Sequence, residues 1–209
     1  MFKYIIALLS FFLLASCSTV SAPPGKTSSW AAQTTMIDAP TYGSGNHTLE
    51  YFGDFQCPAC IRFSHAFLPI LEEFASSGKL IIVYKQFPLV SMHKNAYRDS
   101  IAALCSAEQG QYLPYKKALI ALEEAKRGAT VSDSERVEAM KWLSIDETKF
   151  SQCLSTDKYA SSVDRDIADG DAKRVNGTPT LILDGTKLDL AIFRDENMFR
   201  EQMGRILAN

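Results

Sequence analysis

The sequence predicts an α/β fold: a βαβ unit, then a block of helices, then a β-hairpin and a last helix. Three observations carry this. A β-rich run, a Cys-x-x-Cys pair and a helical pattern follow one another between Thr48 and Gly78; a second apolar run spans Lys79 to Phe87; and a strand-turn-strand pattern lies near the C-terminal end. In the first run, Thr-Leu-Glu-Tyr-Phe-Gly-Asp-Phe from Thr48 to Phe55, aromatic and β-branched residues favour a strand. From Ile61 the apolar residues Phe67, Leu68, Leu71, Phe74 and Ala75 recur at helical spacing, and Gly78 supplies the stop. Pro69 falls inside this helix and is expected to kink it, since proline lacks the N–H that the helix ladder needs.

Lys79 to Phe87 is nearly continuous in apolar residues, as in a strand buried on both faces of a parallel sheet. Residues 93–164 then read as a helical insertion, with apolar periodicity through Ile101-Ala102-Ala103-Leu104, Leu119-Ile120-Leu122 and Val137-Met140-Leu143. The insertion divides a core expected at 36–92 and 165–209. Thr180 to Leu183, Asp184-Gly185 and Thr186 to Leu190 form a strand, a type I′ turn and a second strand. Asp195 is expected to cap the last helix, whose residues Phe199, Met203, Ile206 and Leu207 give one apolar face. Gly43-Ser44-Gly45 precedes a strand instead of following one, so it reads as a loop and not as a phosphate cradle.

The chain has 209 residues, 46% of them hydrophobic, which suffices for one globular core and excludes a disordered chain or a disulfide-scaffold miniprotein. Its 22 basic and 24 acidic residues give a net charge of −2, so no nucleic-acid partner is expected from charge. The pair Lys116-Lys117 reads as a solvated face.

The N-terminal end is organised differently. Lys3 is followed by an apolar run from Tyr4 to Leu14, too short to span a bilayer as a permanent helix and typical of a signal-peptide core. The run ends in Leu14-Ala15-Ser16-Cys17, which resembles the bacterial lipobox, implying removal of residues 1–16 and lipid on the Cys17 sulfur. Residues 17–35 are rich in Ser, Thr, Ala and Pro without apolar periodicity and read as a flexible tether. The expected location is therefore exported and lipid-anchored to a bacterial membrane.

The five cysteines are Cys17, Cys57, Cys60, Cys105 and Cys153; with Cys17 lipidated, the remaining four are an even count in a compartment that permits disulfides. A zinc site would need a second close cysteine pair or paired histidines, whereas His47, His65 and His93 are scattered, so no metal is expected. Cys57 sits where strand gives way to helix, and unpaired N–H groups and the helix dipole there favour its thiolate. It is the candidate attacking sulfur. Cys60, one turn inside, is the candidate resolving thiol, and exchange proceeds through a mixed disulfide on Cys57. Pro58 presets a helical φ, while Ala59 offers neither charge nor a hydrogen bond.

Taken together, Gly53-Asp54-Phe55-Gln56-Cys57-Pro58-Ala59-Cys60, Leu68-Pro69, Phe87-Pro88-Leu89, His93, Ala103-Leu104-Cys105 and Gly177-Thr178-Pro179-Thr180 resemble, in order and spacing, the DsbA-like family of thiol:disulfide oxidoreductases. The resemblance covers roughly residues 36 to 207 and implies an α/β, thioredoxin-like fold with an inserted α-helical domain. It implies that Thr178-Pro179 is a cis-proline loop facing the redox pair and presenting backbone to an extended substrate. It also implies a second, non-catalytic disulfide between Cys105 and Cys153, to be weighed against two buried free thiols. Strongly oxidising relatives often carry His where this chain has Ala59, which implies a less oxidising poise here. One departure concerns a buried glutamate that the family usually places six residues before the first cysteine; here that position is Tyr51. Glu50 is the possible proton acceptor only if a bulge turns it inward, since a one-residue step along a strand reverses the face. Otherwise the proton of Cys60 goes to water, and Glu50 is a solvated strand residue. His65 and His93 read as packing or surface residues.

The implied activity is introduction of disulfides into exported protein thiols by a monomer, with no cofactor beyond the cysteines and a membrane redox partner to recycle them. A reductase or isomerase of the same fold comes second. A lipoprotein carrying Cu(I) on Cys57 and Cys60, or a redox-inactive one, is the alternative from another class.

Overall fold

The computed structural model describes residues 39–189 and 195–208. The signal-peptide, Cys17 and tether readings, and Leu190, lie outside those residues. The elements are β1 (Thr41–Ser44), β2 (His47–Gly53), α1 (Pro58–Ala66), α2 (Leu68–Ser76), β3 (Leu80–Gln86), α3 (Ala96–Ala107), α4 (Tyr112–Lys126), α5 (Asp133–Glu138), α6 (Glu147–Ser155), α7 (Ala160–Ala172), β4 (Thr180–Leu183), β5 (Thr186–Lys187) and α8 (Glu196–Ile206).

The strands form one sheet in the order β1-β3-β2-β4-β5. The β2–β3 pair is parallel and joined by α1 and α2, while β1, β4 and β5 pair antiparallel with their neighbours. In β2 the pleat sends Leu49 and Tyr51 into the main core with Phe63, Leu71 and Phe199, and Phe52 into a second, smaller cluster with Phe87, Val175 and Ile182.

Several elements differ from the sequence reading. Gly43 and Ser44 belong to a strand, pairing with Ile81 and Leu80 at the sheet edge, although a four-residue Thr-Tyr-Gly-Ser segment has little β signal of its own. β3 is not buried on both faces: Leu80, Ile82 and Tyr84 are wholly covered, but Ile81, Val83 and Lys85 only partly. Instead of one kinked helix there are two. The chain breaks at Phe67, and Pro69 falls in the first turn of α2, where its missing N–H leaves no gap in the ladder. The expected boundary after residue 164 lies inside α7, whose Val163 and Ile167 both pack on the core, so this helix bridges insertion and sheet.

The hairpin turn has the positive φ values a type I′ turn requires, 48° at Asp184 and 80° at Gly185. Asp195 caps α8, its carboxylate accepting the Met198 N–H at 2.9 Å. Phe199, Met203 and Leu207 are buried at spacings of four, whereas Ile206, one step off that line, is 38% exposed. Cys105 of α3 and Cys153 of α6 are joined by a disulfide.

Candidate active site

Cys57 is the N-cap residue of α1, extended at φ −71° and ψ 120°, with Pro58 opening the helix behind it. Cys57 and Cys60 are both free thiols and both largely covered, 7% and 2% exposed. They differ sharply in acidity. The Cys60 thiol donating to its sulfur brings Cys57 down to about 5; burial opposes this, and the Thr178 side chain and the N–H groups of Cys60 and Ala59 reinforce it. Burial first, and then the neighbouring Cys57 sulfur, push Cys60 well above the ordinary thiol range. The two sulfurs are thus set in opposite states, Cys57 as the thiolate and Cys60 as the thiol.

The turn that presents Cys57 is built on Asp54, which is 2% exposed. Its Oδ1 accepts the N–H groups of Gln56 at 2.8 Å and Cys57 at 3.2 Å, and its Oδ2 accepts the Leu89 N–H at 2.8 Å. His93 Nδ1 completes the set, 2.7 Å from Oδ2. One buried carboxylate therefore ties the redox turn to the segment after β3. The sequence reading gave His93 a packing or surface role and Asp54 none. The available signal was local: an Asp at the head of a turn is placed to accept the N–H groups two and three residues on.

Opposite the pair, the Thr178-Pro179 peptide is cis. The Cys57 sulfur lies 3.3 Å from the Thr178 carbonyl oxygen, so the loop before β4 and the N-terminus of α1 meet at Cys57. Pro179 is buried, while Pro58 is exposed and Ala59 partly so. The structure brings Cys57, Pro58, Ala59, Cys60, Thr178 and Pro179 together.

It does not bring Glu50 to them. β2 keeps a regular register with both neighbours, Glu50 opposite Val83 and Ile182, and no bulge intervenes. The Glu50 carboxylate instead pairs with Lys173 at 2.5 Å, on the Phe52 side of the sheet. The β2 residue on the Cys60 side is Tyr51, which lines one cavity with Cys60 and Ser64. Lys116 also departs from expectation: Lys117 is a surface side chain, but Lys116 is 4% exposed and lines the space behind Cys60. Consecutive helical residues point about 100° apart, so a Lys-Lys pair need not share one environment.

A family model described as thioredoxin matches residues 39–208. The chain belongs to the thioredoxin family. Among curated relatives it is similar to the Na(+)/H(+) antiporter NhaA 3 of Salinispora tropica, at 26% identity over 140 residues, covering 67% of this chain and 20% of that protein. The chain thus spans about a fifth of the length of the first relatives it matches. It is also 22% identical to a probable disulfide bond formation protein D of Bacillus anthracis, over 64% of this chain and 63% of that one. Among solved structures it resembles BdbD of Bacillus subtilis, with a TM-score of 0.70 at 18% identity over 85% of this chain and 97% of that one. The thiol-disulfide oxidoreductase MdbA of Actinomyces oris follows, with a TM-score of 0.69 at 18% identity over 80% and 88%. The fold is that of the DsbA-like structures, a thioredoxin-like α/β sheet with an inserted helical region.

Proposed function

We propose that the chain is a thiol:disulfide oxidoreductase of DsbA type that introduces disulfides into exported proteins through Cys57-Pro58-Ala59-Cys60. The opposed acidities of the two sulfurs carry this reading: Cys57 ionised at a helix N-terminus, Cys60 held as a thiol behind it. In the disulfide form, a substrate thiolate attacks the Cys57 sulfur, and the electron pair of the broken S–S bond goes to Cys60. A second substrate thiolate then attacks the substrate sulfur of the mixed disulfide and releases Cys57 as a thiolate. A leaving thiol with so low a pKa departs readily, which favours donation of the disulfide. The Thr178 backbone beside Cys57 suits an extended substrate segment, and Asp54 and His93 hold the turn through this cycle.

The N-terminal sequence supports export, with lipid on Cys17 and residues 17–35 as the tether, and a membrane redox partner to reoxidise the pair. We take the working form to be a monomer. The test adds catalytic amounts of the protein, and of its C57S variant, to reduced and to scrambled ribonuclease. Recovery of the reduced form with glutathione disulfide should be accelerated by the wild type and not by C57S. No acceleration refutes the activity, and faster rescue of the scrambled form makes the protein an isomerase.

A further inference from the structure

Resting on that reading, there remains a proton to account for. Opening the Cys57–Cys60 disulfide leaves a thiolate on Cys60 in a place that favours the thiol, and closing it requires that thiol to lose its proton. Of the carboxylates close in sequence, Glu50 lies across the sheet in an ion pair with Lys173, and Asp54 is occupied by three backbone N–H groups and His93. Behind Cys60 is a cavity of about 10 Å³, lined among others by Tyr51, Ser64, Tyr112 and Lys116. It holds about one water at most, so side chains and not bulk solvent face the sulfur.

Those side chains form a chain of exchangeable protons. Tyr51, Cys60 and Ser64 line this one cavity, and the acidity of the Tyr51 hydroxyl responds to the Cys60 and Ser64 side chains. Ser64 Oγ accepts a hydrogen bond from Lys116 Nζ at 2.8 Å. The ammonium also lies 5.6 Å from the Tyr51 ring centroid. The backbone makes room for this: a Cβ at Gly53 would sit 2.3 Å from Tyr51 Cε1 and 3.0 Å from its hydroxyl oxygen, so a side chain there would displace the ring. Among the described residues Lys116 has no ion-pair partner, and a wholly buried lysine without one is costly unless it can give up its charge.

We propose that Lys116, acting through the hydroxyls of Ser64 and Tyr51, holds the proton that Cys60 takes up when the disulfide opens and gives back when it closes. On opening, Tyr51 donates its proton to the Cys60 thiolate, Ser64 donates to Tyr51, and Lys116 donates to Ser64; one S–H is gained, one N–H is lost, and a neutral amine remains. On closing, the protons return along the same chain while Cys60 attacks the mixed disulfide on Cys57 and expels the thiolate of the recycling disulfide. Burial brings Lys116 down to about 8, within reach of neutral solution, against Glu72 and the Cys60 sulfur, which favour its charge, and Lys117, which opposes it. The other titratable groups around the two cavities that Lys116 lines are Tyr51 of β2, Asp54, Lys85 of β3, His65 of α1 and Tyr112 of α4.

The closing step isolates the proposal. Reduced protein is mixed with glutathione disulfide and quenched in acid, and mass spectrometry follows both formation and decay of the glutathione adduct on Cys57 from about pH 6 to about pH 9.5. In the wild type, decay should quicken with pH and level off above about 8, where the amine is neutral. In K116M, K116R and Y51F the plateau should vanish, with decay at least about tenfold slower at neutral pH and still rising with hydroxide. Adduct formation, which needs only the Cys57 thiolate, should be unchanged, and this separates a lost relay from a damaged fold. A plateau that persists in Y51F or K116M overturns the proposal. So does a Lys116 side-chain NMR signal in the wild type that fails to titrate between about pH 7 and about pH 9, a measurement needing no variant. Neither readout uses a protein substrate, so inactivity on ribonuclease would defeat the proposed function and leave this test standing on its own.

Discussion

Replacing Cys57 by alanine in the reduced protein should remove a pH-dependent share of its stability. In the unfolded chain this thiol keeps its proton up to about 9, and in the folded protein only up to about 5. Between those limits the unfolded state binds more protons, so stability rises with pH above 5 and is lost as pH falls through 5. At about 1.4 kcal/mol per pH unit, the two units from 5 to 7 amount to about 2.7 kcal/mol at most. Solvent at the rim of the site screens part of this, leaving an expected rise of about 1–2 kcal/mol. Cys60, shifted the other way, keeps its proton throughout the same window and adds no slope. The assay is urea unfolding of wild type and C57A under a phosphine reductant, at intervals from about pH 4 to about pH 7.5, taking the difference at each pH so that groups common to both cancel. Thiolate absorbance near 240 nm gives the midpoint independently. A difference that stays flat across the window, or an absorbance midpoint above about 7, would refute the argument that Cys57 is ionised by its surroundings.

Cys105 and Cys153 close a loop of sequence separation 48, so the C105A/C153A double variant should lose about 4 kcal/mol in urea unfolding; a loss under about 1 kcal/mol would refute it. D54A should cost about 2–4 kcal/mol and slow iodoacetamide labelling of Cys57, because three N–H donors and His93 lose their common acceptor; stability within about 0.5 kcal/mol of wild type would mean the turn holds without Asp54. C17A should move the protein from the membrane to the soluble fraction of cells with activity on a soluble substrate unchanged, and wild type found only in the soluble fraction would defeat the anchor.

What could be read from the sequence was whatever depends on neighbours along the chain. The order of β2, Cys57-x-x-Cys60, helix and β3 follows from local composition, and the hairpin from Asp184-Gly185 between two strand segments. The face of Glu50 followed from strand parity alone, given a regular register. What could not be read depends on partners distant in sequence. β1 owes its strand conformation to pairing with β3, the Asp54–His93 contact spans 39 residues, and no periodicity announces that Lys116 turns inward while Lys117 turns out. Two further errors were local. A proline in a helical pattern marks either a kink or, as Pro69 does, the first turn of a new helix, and Ile206 lies one step off the face filled at 199, 203 and 207.

The two faces of β2 explain why the helical block bears on the chemistry. Glu50 and Phe52 point to the side covered by α7, and Leu49 and Tyr51 to the side where α1 carries the cysteines. A carboxylate at position 51 would have reached Cys60 from the sheet itself. With tyrosine there, the sheet supplies a hydroxyl but no group that changes charge near neutral pH, since burial holds Tyr51 well above the ordinary phenol range. A group that can do so, Lys116, comes from α4, which packs over the back of the redox pair. The inserted helices then do more than shape the surface beside Cys57. A change in how α4 seats on the core would alter the ease with which Cys60 gains and loses its proton.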